Sequence, residues 1–141
     1  MKPIHLIICG FGPYAGKVDI HMDEVEKDGM FLITGDTGAG KTSIFDAITY
    51  ALFGEASGDV RDASMFRSKY AGPETPTSVE LEFSHNGETY TVRRNPEYMR
   101  FARRGNGMAK QSAEACLSLP DGRVVTKVKE VDAKIRENLG I

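Results

Sequence analysis

The chain has 141 residues, enough for one domain with its own core. Hydrophobic residues make up 40% and charged residues 27%, a globular balance that excludes a disordered or fibrous chain. A formal net charge of −2 excludes a global field that draws nucleic acid, so any such contact needs a local patch. Cys9 and Cys116 lie far apart and form no CxxC pair, which reads as two buried, reduced thiols in a cytoplasmic protein. His5, His21 and His85 show no metal-ligand spacing, which argues against zinc. The apolar run at 4–9 is broken by His5 and is too short for a signal core or a bilayer span, so no membrane association is expected.

In chain order, residues 4–9 read as a buried strand, and 18–22 alternate weakly enough to pair with it. Residues 30–34 form a short apolar run that ends at a glycine-rich turn. Residues 41–53 place Ile44, Ala47, Ile48, Ala51 and Leu52 at helical spacing, with Gly54 as the C-cap. The stretch 54–77, rich in Gly, Pro, Ser and charge, reads as irregular. Residues 79–83 and 89–93 flank Asn86-Gly87 and predict a hairpin, with Glu80 and Glu82 on its solvent face. Residues 95–111 read as an exposed excursion. A second hairpin is expected over 113–119 and 123–126, around Pro120-Asp121-Gly122. A final helix at about 127–139 would put Val128, Val131, Ile135 and Leu139 on one face, with Gly140 ending it.

The chemistry concentrates in residues 35–42, which spell G-x-x-x-x-G-K-[ST] through Gly35, Gly40, Lys41 and Thr42. Gly35, Asp36, Thr37, Gly38, Ala39 and Gly40 can curl so that successive N–H groups face phosphate oxygens. The helix that follows aims its positive end at the same anion. Lys41 would add a point charge on the β and γ phosphates of ATP, and the Thr42 hydroxyl would ligate Mg²⁺, with Ser43 beside it. No apolar strand here ends in the Asp-Glu pair that a hydrolysing site needs, so no catalytic set is complete in this chain. No Asn-Lys-x-Asp motif appears, which counts against a GTPase.

A second concentration is cationic. Arg93, Arg94, Arg100, Arg103, Arg104 and Lys110 face only Glu97 in the same stretch, with Tyr98 and Phe101 among them. Cations beside aromatic rings suit a nucleic-acid backbone, whereas the plainer alternative is a solvated loop that protects a strand edge.

Together, FGPYAG at 11–16, ITGDTGAGKTSIFDAITYALFGE, the connector and strand at 61–83, and RRNPEYMR with its Arg- and Gly-rich continuation resemble the N-terminal region of the SbcC family. That family is related to the structural-maintenance-of-chromosomes ATPases. The resemblance implies an α/β fold, a P-loop NTPase of ABC/SMC type. Only its N-terminal lobe would be present (residues 1–141), with antiparallel hairpins beside the P-loop strand and helix. It implies ATP and Mg²⁺ as cofactors. The implied partners are a C-terminal lobe of the same protein, a second copy of the head, an SbcD-like nuclease and double-stranded DNA. It places Phe11 and Gly12 near the nucleotide and brings the connector around Arg67 toward the base. Two other readings compete: a nucleotide-gated clamp without useful hydrolysis, and a small nucleotide-kinase-like phosphotransferase with the arginine run as its lid.

Overall fold

The computed structural model describes residues 1–12, 14–21, 38–54, 68, 71–72, 74–102, 104–105 and 107–139, with side chains at all of these except 38–43 and 45. The expected strand at 30–34 and most of the irregular stretch lie outside the described residues. Among the described residues six strands form one antiparallel sheet in the order β2-β1-β3-β4-β7-β8. They are β1 (Lys2–Phe11), β2 (Tyr14–His21), β3 (Ser78–His85), β4 (Glu88–Asn95), β7 (Glu114–Ser118) and β8 (Val124–Val125). The excursion is itself ordered, because β5 (Tyr98–Phe101) and β6 (Met108–Gln111) pair as a separate hairpin.

Alternation along each strand creates two chemically different faces. Leu6 pairs with Leu81, Leu81 with Val92, and Val92 with Leu117, giving an apolar row across four strands. Phe83 stands opposite Tyr90, their rings stacked at 5.3 Å between centroids. Two of the described elements, both helices, cover this inner face. Helix α1 (Gly38–Phe53) lies on β1, β3 and β4, and helix α2 (Val128–Leu139) lies on β7 beside α1. Ile44, Ala47, Tyr50 and Ala51 of α1 join Val131 and Ile135 of α2 in the core.

Three local readings change. Helix α1 begins at Gly38 rather than at 41, because glycine and alanine in its first turn carry no apolar period to mark it. Val128 is exposed, whereas Leu139 does pack on the core. Cys9 and Cys116 are both free and half-buried, because their strand positions turn them to the outer face. Glu80 and Glu82 stand on that outer face, as their alternation requires.

The turns follow their chemistry. Asn86 and Gly87 have φ of 53° and 81°, the left-handed pair of a two-residue hairpin turn. Gly54 caps α1 with φ 73°, its N–H donating to Tyr50 O at 2.7 Å. Among the described residues no helix is long and apolar enough to cross a membrane.

Candidate nucleotide site and basic hairpin

At the end of β1 the chain makes a tight turn that the connector holds. Gly10 has φ 56°, and a Cβ there would sit 2.5 Å from Pro76 O, so only glycine fits. Its carbonyl accepts two hydrogen bonds, from the Ser68 N–H at 2.8 Å and from the Thr77 hydroxyl at 3.0 Å. Ser68 and Thr77 are both buried, so they tie the end of the connector to the β1 turn. Phe11 then turns fully inward, its ring 6.2 Å from that of Tyr50 on α1. Phe11 is thus an anchor between β1 and α1, and its side chain is not presented to a ligand. Burial pushes the Tyr50 phenol well above its ordinary range, with Arg94 acting in the opposite direction. Gly12, with φ 59°, forms the half-buried turn that follows.

Helix α1 starts at Gly38, inside the G-x-x-x-x-G-K-T segment, so Gly38, Ala39, Gly40 and Lys41 form its first turn. The first N–H groups of a helix lack intrahelical partners and carry the positive end of its dipole. No acidic residue stands in that turn to oppose an anion. Gly35, Asp36, Thr37 and Arg67 lie outside the described residues. Lys41, Thr42 and Ser43 are described as helical backbone only.

The cationic residues do not form one surface. Arg94 points into the core and is only 2% exposed. Its Nε donates to Ala51 O at 2.7 Å and its Nη2 to Leu52 O at 3.2 Å, so it neutralises the last carbonyls of α1. The same Nη2 meets Asp132 of α2 at 2.6 Å, which joins the two helices through β4. Arg94 therefore leaves the set of DNA-contact candidates, because every described neighbour commits it to the interior. Arg93 stands on the opposite face, beside a cleft of about 340 Å³ between the sheet and the β5–β6 hairpin. Arg100 is held by Gln111 Oε1 at 3.1 Å and by the Phe101 carbonyl at 3.0 Å. Lys110 pairs with Glu97, Arg104 is exposed, and Arg103 lies outside the described residues. Phe101 is 54% exposed on the same hairpin, with Met99 and Met108 beside it.

The sequence marks Ser68 only as the end of the connector around Arg67, and it leaves Gly10 and Thr77 unmarked apart from the place of Gly10 just before the FGPYAG turn.

A family profile described as AAA domain matches residues 5–141. The chain belongs to that family. Membership makes it a P-loop NTPase domain of α/β class and implies a nucleotide and Mg²⁺ at its site. Among characterised relatives, it is 44% identical over 117 residues to the C subunit of the nuclease SbcCD of Vibrio cholerae, covering 83% of this chain and 12% of that protein. It is 43% identical over 121 residues to the protein of the same name in Lactococcus lactis, covering 86% of this chain and 11% of the relative. The Staphylococcus aureus protein of that name is 38% identical over 131 residues, covering 93% of this chain and 13% of its own length. The chain thus spans roughly an eighth of the length of the curated relatives it matches.

Proposed function

We propose that this chain is the ATP-binding N-terminal lobe of a DNA-repair ATPase of the SbcC kind, with an ABC/SMC-type head. One observation carries the reading. The G-x-x-x-x-G-K-T segment coincides with the start of α1, in a chain that is 38–44% identical to the C subunit of SbcCD nucleases over most of its length. In this reading the amides from Gly35 to Gly40 wrap the triphosphate. Lys41 offsets the charge on its outer phosphates, and Thr42, with Ser43 beside it, holds Mg²⁺. Gly12 and Arg67 border the nucleotide, and Phe11 holds the turn from below. Bound Mg-ATP would supply the bond whose cleavage drives the head. This chain's own residues bind and orient it, and a C-terminal lobe and a second head supply the groups that activate water.

The whole assembly acts in the cytoplasm with an SbcD-like nuclease on double-stranded DNA. Arg93, Arg100, Arg103, Arg104 and Lys110 are the candidate phosphate contacts of this lobe, each able to add to the salt dependence of DNA binding.

Calorimetry of the chain with Mg-ATP tests the site. Lys41→Ala is expected to weaken binding by at least about tenfold, the loss of one charge-assisted contact. Equal affinity in the two proteins rejects the cradle. Turnover by the chain alone near about one per second, a kinase-like rate, rejects the half-site.

A further inference from the structure

His5 and His21 are unremarkable in sequence, sixteen residues apart. The register of β1 against β2 makes them direct cross-strand partners, and their rings stack in parallel, 4.3 Å between centroids and 7° between planes. Asp19 precedes His21 by two residues on β2 and so shares its face of the sheet. It stands diagonally from His5, and His5 Nε2 and Asp19 Oδ1 are in direct contact. His21 Nε2 lies 3.4 Å from the same oxygen. Each residue offers one ligand atom, and the three atoms all lie within 4.8 Å of one another.

We propose that His5, Asp19 and His21 form a binding site for a divalent late transition-metal ion of the zinc class, one that clips edge strand β2 to β1. Two imidazole nitrogens and one carboxylate oxygen are a recurrent donor set for such ions, with the remaining positions left to water. The separation of His21 Nε2 and Asp19 Oδ1, 3.4 Å, matches that of two ligands about 2.0–2.1 Å from a tetrahedral ion. For the third ligand, an ion would replace the direct His5–Asp19 contact and turn the two imidazoles out of their parallel stack, so that both ring planes point at it. The carboxylate contributes one negative charge, and the Asp19 carboxyl is held below its ordinary range chiefly by its hydrogen bond to His5. The donor set also separates this site from a nucleotide's Mg²⁺, which selects oxygen ligands and octahedral geometry. The three side chains are 27%, 45% and 53% exposed, so an ion reaches them from solvent without opening the core.

The place of the site on an exposed sheet edge, rather than its donor set, argues for a structural role. Among the described residues β2 is an edge strand with β1 as its sole partner in the sheet. An ion held across the pair ties down an edge that hydrogen bonds secure on one side only. Since an ion that prefers the folded chain stabilises it by mass action, the site has a readout independent of ATP.

The test is titration of the tag-free chain with Co²⁺, followed by its visible absorption, then displacement by Zn²⁺. One ion per chain is expected, with intense low-symmetry bands and a rise in melting temperature with Zn²⁺ and none with Mg²⁺. His5→Ala and His21→Ala should each weaken binding by at least about 100-fold, more than outer-sphere changes cost. Asp19→Asn should weaken it by at least about tenfold, and His85→Ala should leave it unchanged. His21 and Asp19 are exposed on the edge strand, so circular dichroism of those variants is expected to match the parent and keeps the test valid should His5→Ala misfold. Binding that His21→Ala leaves intact, or that His85→Ala reduces equally, overturns the site. No more than weak, substoichiometric Co²⁺ uptake by the parent also overturns it, and reduces the cluster to two histidines sharing a carboxylate.

Discussion

Arg93 and Arg94 are neighbours in sequence and occupy opposite worlds. Arg94 is buried between two helices, with its guanidinium shared among Ala51 O, Leu52 O and Asp132. Arg93 stands on the outer face beside a cleft and opposite Cys116 and Glu80. The same contrast runs across the whole sheet. The inner face carries Leu6, Ile8, Val79, Leu81, Val92 and Leu117, and the outer face carries His5, Asp19, His21, Glu80, Glu82 and Arg93. The difference teaches that charge type does not assign function here. Strand parity does, because one step along a strand moves a side chain from the helix-covered core to solvent.

The largest expected effect breaks the inner half of that comparison. Arg94→Ala strands Asp132 and the last carbonyls of α1, and should cost about 3–5 kcal/mol of stability in urea denaturation. Arg93→Ala should stay within about 0.5 kcal/mol. Equal costs would mean that the two faces are not energetically distinct. Leu81→Ala comes next, at about 2–5 kcal/mol for a cavity in the apolar row. Its neighbour Glu80→Ala should be close to neutral by the same urea denaturation.

Gly10→Ala sharpens the comparison at the turn that ends β1. Positive φ and a Cβ placed 2.5 Å from Pro76 O should cost about 1–3 kcal/mol. The strain would fall on the turn that Ser68 and Thr77 hold. Amide hydrogen exchange should therefore quicken at Ser68 before it does in α2. Uniform loss of protection across the sheet would show that the turn is not a separate unit.

The smallest effect concerns the exposed turn between β7 and β8. Asp121 accepts hydrogen bonds from the Arg123 backbone N–H at 3.0 Å and from its guanidinium at 2.6 Å. These hold its carboxyl below the ordinary value of 3.8, led by the backbone bond. A depressed pKa in the folded chain gives a contribution present above the unfolded value and lost as pH falls through the folded one. Carboxyl NMR titration should therefore find the Asp121 midpoint below 3.8, and Asp121→Asn should slightly flatten the acid limb of the stability profile. A midpoint at or above 3.8 contradicts the turn geometry.

Much of this molecule was determined locally. Alternation from 79 to 93 around Asn86-Gly87 specified the β3–β4 hairpin, since only one register buries Leu81, Phe83, Tyr90 and Val92 together. The helical spacing of Val131 and Ile135 specified the buried face of α2. The glycine-rich run before Lys41 marked a helix start with a positive end, and α1 begins within that run, at Gly38.

What tertiary structure alone decided has a common physical cause: contacts between residues remote in the chain leave no periodic trace. The excursion holds a hairpin because β5 and β6 satisfy each other's backbone, and six residues between them hide the pairing from any local window. Arg94 lost its place in a basic patch because α1 ends over β4 and Asp132 arrives from α2. His5, Asp19 and His21 became a cluster through cross-strand register, and Gly10 became indispensable because Pro76 passes 66 residues later. Sequence determined which segments could form strands and helices and which one could cradle phosphate. The packing of those segments decided which charged side chains hold the fold together and which ones face solvent.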